Sequence, residues 1–155
     1  MAFDTRTGTR GARQPGGSFL KFFNGLAMRR IRRSGRGAAD AETGSLILIT
    51  IGRKSSMERQ TPVVWFRAED GSRLIVASAA GARGNPAWYY NLAAHPDRVF
   101  IQIGEQSLEV RAEQLHGAER DRAWQRIIAT APRFAGYQKK TDRELPIIRL
   151  TEYPS

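Results

Sequence analysis

The chain has no cysteine and only two histidines, His95 and His116. The missing cysteines exclude disulfide bonds, thiolate metal sites and a cysteine nucleophile, and they are compatible with a reducing cytoplasm. The histidines lie far apart, and neither has the spacing to a carboxylate that is typical of a metal site or a Ser–His–Asp triad. The sequence therefore predicts no metal, and any reactivity is expected to reside in a bound organic cofactor.

Long apolar runs are also missing. No stretch approaches the ~20 apolar residues that a membrane-spanning helix needs, and the N-terminus is not typical of a signal peptide because its apolar part is short and basic residues follow it. These two absences predict a cytoplasmic protein.

Acidic residues are scarce in residues 1–40, which hold nine Lys or Arg but only two Asp. Most of the net charge of +10 therefore lies at this end of the chain. Residues 1–17 show no periodic apolar pattern and are predicted to be a disordered basic arm. Because the charge excess belongs mainly to this region, the folded part is not expected to bind nucleic acid.

An amphipathic pattern begins at Ser18, where apolar residues recur at helical spacing and basic residues fill other positions. Residues 18–40 are predicted to be a basic amphipathic helix followed by a linker. The helix would either pack on the folded domain or lie, through residues 18–36, on an anionic membrane surface. In the second case the protein would be peripheral at the inner face of the membrane.

Residues 41–155 are predicted to form one folded domain. Short apolar or alternating runs predict about six strands, and residues 118–130 and 134–140 have helical spacing. Strands and helices do not alternate regularly, which argues against a doubly wound parallel sheet. The expected fold is mainly β with α: a mostly antiparallel sheet closed into a small barrel, with helices outside.

A run of small residues leads from a predicted strand into a predicted helix within residues 78–92. Such side chains let a ligand approach the backbone. Asn85 is predicted to cap the helix, with Pro86 at its first position, and a helix start suits an anionic or carbonyl-rich ligand. A plain strand-to-helix connection has the same pattern, so this stretch alone leaves both interpretations open.

A second candidate site follows the first strand. Arg53, Lys54 and Arg59, with Ser55 and Ser56, place three cations and two hydroxyls at a strand exit. Such groups hold phosphates through charge-assisted hydrogen bonds. A solvated hairpin loop has the same composition, so here too the spacing leaves the alternatives open.

Over residues 45–150 the chain closely resembles the deazaflavin-dependent nitroreductase family, through linked motifs in the same order and at similar spacing. These are Gly52-Arg-Lys-Ser, Arg59, Thr61-Pro62, Val76-Ala-Ser-Ala-Ala-Gly, Asn85-Pro-Ala-Trp-Tyr-Tyr-Asn-Leu, His95-Pro96, Tyr137-Gln and Thr141-Asp-Arg-Glu-Leu-Pro-Ile. The resemblance implies a split β-barrel of the flavin-binding superfamily, with Greek-key-like strands. It also implies coenzyme F420, a deazaflavin with a phosphate and an oligoglutamate tail. FMN on the same barrel is the alternative cofactor.

The resemblance implies a role for each matching residue. The residues implied to hold the phosphate region are Arg53, Lys54, Ser55 and Arg59. The residues implied to border the cofactor are Thr61, Pro62 and Val63, and those implied to lie against its ring are Ala77, Ser78, Ala79, Ala80 and Gly81, supported by Trp88 and Asn91. Ser78 and Tyr137 are the candidate catalytic residues. Tyr137 would hydrogen-bond a substrate carbonyl or donate a proton, or would serve only as an aromatic packing residue.

The implied reaction is hydride transfer between reduced F420 and a small organic acceptor, such as a quinone, an enone or a nitro compound. Two departures from the family pattern matter. Ser56 stands where many relatives have glycine, and residues 131–137 keep one tyrosine where the nitroreductases are tyrosine-rich, which predicts a more apolar substrate pocket. An FMN oxidoreductase and a non-catalytic F420 carrier docked at a membrane are the alternatives. A homodimer is expected by analogy with other split barrels.

Overall fold

The structure of the protein, a computed structural model, describes residues 3–12, 28–29 and 41–153. Residues 41–153 contain six strands: β1 (Thr43–Ile51), β2 (Glu58–Arg67), β3 (Arg73–Val76), β4 (Val99–Ile103), β5 (Gln106–Gln114) and β6 (Ile147–Glu152). The same range contains three α-helices, α1 (Ala87–Ala94), α2 (Gly117–Thr130) and α3 (Arg133–Lys140), and a 3-10 turn at Ala79–Gly81. The helix predicted for residues 18–40 falls almost entirely outside the described residues.

All six strands pair antiparallel and close into a barrel in the order β1-β2-β3-β6-β5-β4. β1 pairs with β2 over its whole length and with β4 from Ile47 to Ile49. β6, the last strand in the sequence, lies between β3 and β5. The predicted antiparallel barrel with helices outside is therefore confirmed. Within the described ranges, no helix has the length and apolar character needed to cross a bilayer.

The apolar residues form two clusters on the two faces of the sheet. Leu46, Leu48 and Ile101 belong to the cluster that also contains Trp88 of α1. A second cluster packs residues of β2, β3 and β6 against α2 and α3, with Ile127 fully buried. Because side chains alternate between the faces of a strand, burial on both faces accounts for the unbroken apolar sequence of strands such as β3.

Residues 3–12 lie against the barrel, which corrects the prediction of disorder for this part of residues 1–17. The Gly8 amide donates to the Arg83 carbonyl at 2.8 Å, and the Ala12 amide donates to the Gly81 carbonyl at 2.9 Å. The Thr5 amide donates to the Tyr89 hydroxyl at 3.0 Å. Backbone hydrogen bonds to distant loops hold the segment, and such bonds leave no apolar periodicity in the sequence.

Asp142 holds the same segment electrostatically. Its carboxylate accepts the Thr9 amide at 2.8 Å, the Thr9 hydroxyl, and the Arg10 amide at 3.3 Å. The Thr9 hydrogen bonds lower the pKa of Asp142 from its ordinary 3.8 to about 2. The docked segment therefore binds the ionised form of this side chain.

We expect the docking of residues 3–12 to depend on pH. A pKa lower in the docked than in the free state stabilises docking fully above pH 4, and the stabilisation is lost as the pH falls from about 4 to about 2. Hydrogen-exchange protection of the Gly8 and Ala12 amides should fall across that window, ahead of protection in β4. In Asp142→Asn, protection of these two amides should already be low at pH 6. Equal protection in variant and wild type at pH 6 would contradict the prediction.

Candidate functional site

A cavity of about 920 Å³ opens between two segments that are distant in the sequence. One wall consists of Gly52, Arg53, Lys54, Ser55, Glu58, Arg59, Gln60 and Thr61, from the β1–β2 loop and the start of β2. The remaining lining consists of Ala79, Ala82, Gly84, Asn85, Pro86, Ala87, Trp88 and Asn91, from the small-residue segment and α1. The barrel thus brings the two stretches singled out in the sequence to one site.

The β1–β2 loop is a tight turn. The Ser56 amide donates to the Gly52 carbonyl at 2.9 Å, and the Gly52 amide donates to the Met57 carbonyl at 2.8 Å. The Ser55 hydroxyl accepts the Met57 amide at 3.2 Å. A Cβ at position 52 would collide with that hydroxyl, so a larger residue there would displace the Ser55 side chain from its bond to Met57.

Arg53, Lys54 and Arg59 give this wall a positive charge. All three are exposed, and none takes part in the ion pairs formed among the described residues. The Arg53 guanidinium lies 4.8 Å from the centroid of the Tyr90 ring. The wall therefore presents three cations that no carboxylate of the described residues contacts directly.

Asn91 joins the cationic loop to α1. Its Oδ1 accepts the Arg53 amide at 3.1 Å, and its Nδ2 donates to the Thr50 hydroxyl at 3.2 Å. Asn91, Thr50 and Trp88 are buried, so the loop is attached to the core at this point. A buried polar network of this kind holds a loop in one position because breaking it leaves unsatisfied groups.

The small-residue segment forms a left-handed turn. Ala79, Ala80 and Gly81 have φ values of +45°, +53° and +84°. For a non-glycine residue such a conformation costs roughly 1–3 kcal/mol, so neighbouring contacts must hold the turn. The Gly81 amide donates to the Ser78 carbonyl at 2.9 Å, and the Ala82 amide donates to the Ala79 carbonyl at 3.0 Å.

The residues predicted from the sequence divide between the cavity lining and the structure behind it. Lining the cavity are Arg53, Lys54, Ser55, Arg59, Thr61, Ala79, Trp88 and Asn91. Not among the lining residues are Pro62, Val63, Ala77, Ser78, Ala80, Gly81 and Tyr137. Pro62 and Val63 continue β2 away from the loop, and Ala77 is fully buried behind the turn.

Both candidate catalytic residues belong to the second set. The Tyr137 ring packs edge-on against Phe134, with the ring centroids 5.4 Å apart. The Ser78 carbonyl accepts from Arg143 at 3.0 Å. The surroundings of Tyr137 favour the packing role, and a catalytic role for Tyr137 or Ser78 stays a prediction.

Asn85 does not cap α1, and that prediction is wrong. Pro86 occupies the cap position, and no side chain makes a capping hydrogen bond there. The Asn85 Nδ2 instead donates to the Thr5 carbonyl at 2.9 Å, and its Oδ1 accepts from Arg143 at 2.7 Å. Partners 58 and 80 positions away in the sequence determine its direction, so the local Asn-Pro pattern was misleading.

Sequence reasoning also missed three other residues. Glu58 and Gln60 line the cavity, and no feature of the sequence distinguishes them from the other polar residues of the same segment. Arg143 is buried at 2% exposure and hydrogen-bonds the carbonyls of the small-residue segment. It lies in the Thr141-Asp-Arg-Glu-Leu-Pro-Ile motif, which contributed to the resemblance without a role being assigned to the arginine.

Ser56 has φ of +58°, the left-handed conformation that glycine adopts most easily. We expect Ser56→Gly to raise the free energy of unfolding by about 0.5–1 kcal/mol, because the steric cost removed exceeds glycine's greater entropy in the unfolded chain. Urea denaturation of the two proteins measures the difference. Ser55→Gly is the matched control and should lower stability, since it removes the hydroxyl bonded to Met57. A destabilised Ser56→Gly would contradict the prediction.

A model of the family described as F420H(2)-dependent quinone reductase matches residues 26–152. An F420H(2)-dependent quinone reductase of Mycobacterium tuberculosis is 40% identical over 110 residues, which are 69% of this chain and 72% of that protein. A solved F420-H2 dependent reductase, FDR-A, is similar with a TM-score of 0.60 at 34% identity, covering 68% of this chain and 92% of the other. A structure described as a domain-swapped dimer has a TM-score of 0.62 at 30% identity, covering 84% and 97%.

Three findings agree: the closed antiparallel barrel, the cavity with its cationic loop, and the match over most of the chain. Of the two cofactors left open by the residues, F420 is the one that the family description names. The chain belongs to the F420H(2)-dependent quinone reductase family, which confirms the F420-dependent oxidoreductase expected from its motifs.

Proposed function

We propose that the protein binds F420 in the cavity described above and transfers a hydride to a quinone. The observation that carries the proposal is the division of this cavity into a cationic wall and a wall of small residues. The relative named above is a quinone reductase. This favours a quinone over a nitro compound as the acceptor, in line with the single tyrosine in residues 131–137.

The cavity suits the chemistry of F420. The phosphate and the oligoglutamate tail are anionic, and Arg53, Lys54 and Arg59 offer charge-assisted hydrogen bonds to them. Ala79, Ala82 and Gly84 bring no bulky side chain to the other wall, which leaves space for a flat ring. Among the described residues that line the cavity, Glu58 is the one carboxylate.

When bound in its reduced form, F420 supplies a hydride, that is, two electrons together. The residues of the protein would hold the cofactor and orient it toward the acceptor. The cationic loop, which is attached to the core through Asn91, would hold the phosphate of the cofactor. The wall of small residues would give a flat ring room to lie in the cavity. Much of the rate enhancement would come from this fixed orientation.

A quinone also takes up a proton. Ser78 and Tyr137 remain our candidates for this role, because Ser78 precedes the turn and the Tyr137 backbone packs closely against Gly81. We expect Tyr137→Phe to lower kcat about a hundredfold while F420 affinity stays unchanged, since the ring still packs on Phe134. Steady-state kinetics and an F420 titration measure the two effects, and an unchanged kcat would leave Tyr137 a packing residue.

Titration with F420, followed through the cofactor's fluorescence, tests the proposal. Saturable binding at micromolar cofactor is expected, with FMN binding far more weakly. Reduced F420 should then be oxidised on addition of a quinone and remain reduced without one. Absence of F420 binding would overturn the proposal, and binding without oxidation by a quinone would favour the carrier alternative.

Three further proposals concern the chain outside the cavity. The N-terminal region, residues 1–40, would precede an F420-binding barrel of residues 41–155, and residues 18–36 would associate with anionic vesicles. The similar structure described as a domain-swapped dimer supports a homodimer. Vesicle sedimentation with and without residues 1–36 tests the association with anionic vesicles, and sedimentation equilibrium tests the homodimer.

A further inference from the structure

We propose that Arg143 is a positioning residue that preforms the small-residue wall of the cavity. It would hold the Ala79–Gly81 turn in its left-handed conformation and direct Asn85 into the cavity lining. The inference rests on the function proposed for this cavity. It concerns a residue that does not itself line the cavity.

The guanidinium bridges both ends of the turn. Before the turn, Nη1 donates to the Ala77 carbonyl at 2.9 Å and Nη2 donates to the Ser78 carbonyl at 3.0 Å. After it, Nε and Nη2 donate to the Ala82 carbonyl at 3.3 and 3.0 Å. One rigid planar group thus fixes the distance between the two ends of the turn.

All five N–H donors of the guanidinium are used, since Nη1 also donates to the Asn85 Oδ1 at 2.7 Å. Arg143 makes no ion pair with a carboxylate among the described residues. Among the described residues, carbonyl and amide oxygens are therefore the groups that solvate this buried charge. A lysine has a compact ammonium and cannot span the same set of acceptors.

Asn85 links Arg143 to the cavity, because it hydrogen-bonds Arg143 and is itself a lining residue. Its Nδ2 donates to the Thr5 carbonyl at 2.9 Å and to the Tyr90 hydroxyl at 3.4 Å. These bonds orient the amide so that its oxygen faces Arg143, and Asn85 is one of the residues that line the cavity. The docked segment 3–12, Asn85 and Arg143 consequently form one network behind the wall.

The turn needs such a holder because two of its residues are alanines. Ala79 and Ala80 both have positive φ, which a residue with a Cβ adopts reluctantly. Without the guanidinium, the segment is expected to populate other conformations. The apparent affinity for a ligand that needs the left-handed turn then falls with the fraction of molecules that keep it.

Arg143→Lys in the full chain tests this inference through two measurements. Without cofactor, the Gly81 and Ala82 amides, which are bonded within the turn, should lose hydrogen-exchange protection. With F420, the dissociation constant should rise about tenfold, as expected if the turn is kept a tenth of the time. Adding Ala80→Gly to this variant should restore part of the affinity, because glycine adopts positive φ without the steric cost.

Arg120→Lys is the matched control. Arg120 is also buried, and its guanidinium donates to the Leu145 carbonyl at 2.9 Å, away from the cavity lining. This change should lower the free energy of unfolding while F420 affinity and the exchange of the Gly81 and Ala82 amides remain unchanged. Equal effects of the two lysine variants on affinity would overturn the positioning role.

Should Arg143→Lys fail to fold, Asn85→Ala is the milder change, since it removes one of the five hydrogen bonds of the guanidinium. It is expected to raise the F420 dissociation constant and to lower the protection of Gly81 and Ala82. If the Gly81 and Ala82 amides of the tested variant keep their wild-type hydrogen-exchange protection, the inference is overturned whether or not F420 binds. Failure of the wild type to bind F420 instead overturns the proposed function, and the exchange result still decides the role of Arg143 in holding the turn.

Discussion

Replacing Arg53 and Lys54 together by glutamine is expected to lower F420 affinity about a hundredfold. A hydrogen bond to a charged group contributes about 1.5–3 kcal/mol, and because both side chains are exposed, the lower part of that range applies. The two side chains lie on a loop and contact no carboxylate in the described structure. The free energy of unfolding should therefore stay within about 0.5 kcal/mol of wild type.

The matched control is Arg98→Gln with Arg111→Gln. It removes the same two charges at exposed positions outside the cavity lining. We expect this pair to leave F420 affinity nearly unchanged. Equal losses in the two double variants would mean that overall charge, and not the loop, attracts the cofactor.

The salt dependence of binding separates specific from general attraction as well. Exposed charges are screened by salt, so wild-type affinity for F420 should fall as ionic strength rises, and the affinity of the Arg53/Lys54 variant should fall less.

Glu58→Gln removes the carboxylate of the lining and should raise affinity for the anionic cofactor. Fluorescence titrations at low and high salt measure both effects.

Gly81→Ala is expected to lower the free energy of unfolding by about 3 kcal/mol. Gly81 has φ of +84°, where a side chain is strained. A Cβ there would also stand 2.6 Å from the Tyr137 carbonyl oxygen and 3.0 Å from the Lys140 Cβ. The closer of these neighbours is backbone of α3, so relief requires movement of the helix or of the turn.

Gly71→Ala isolates the conformational part of that effect. Gly71 has nearly the same φ, +87°, in the β2–β3 turn, but a Cβ there meets no atom within 4 Å. The Gly71→Ala variant should therefore lose only about 1 kcal/mol in its free energy of unfolding. Chemical denaturation measures both variants, and equal losses would show that the turn does not pack against α3 as described.

The barrel follows from patterns that are local in the sequence. In β4, Val99, Ile101 and Ile103 are buried while Phe100 is exposed, as strict alternation predicts. The turn residues Glu69-Asp-Gly-Ser lie between β2 and β3, where the chain reverses. The cationic loop was also recognisable, because its residue types and its place after a buried strand are both local features.

Arg143, Asn85 and residues 3–12 were not recognisable in this way. Each acts through hydrogen bonds between a polar group and backbone or side chains more than 50 positions away. Such partners leave no periodicity in the chain, and local patterns misdirected the interpretation twice. A Gly- and Thr-rich stretch predicted disorder for residues 3–12, and an Asn-Pro pair predicted a helix cap.

The sequence by itself determined the antiparallel barrel, the cationic loop and the family, because alternating burial and linked motifs are local features of the chain. Only the tertiary structure decided that the loop and the small-residue segment share one cavity, and which of their residues line it. It also showed that the segment is a strained left-handed turn bridged by a buried arginine. The physical reason is that a closed barrel sets long-range distances, which no local pattern encodes.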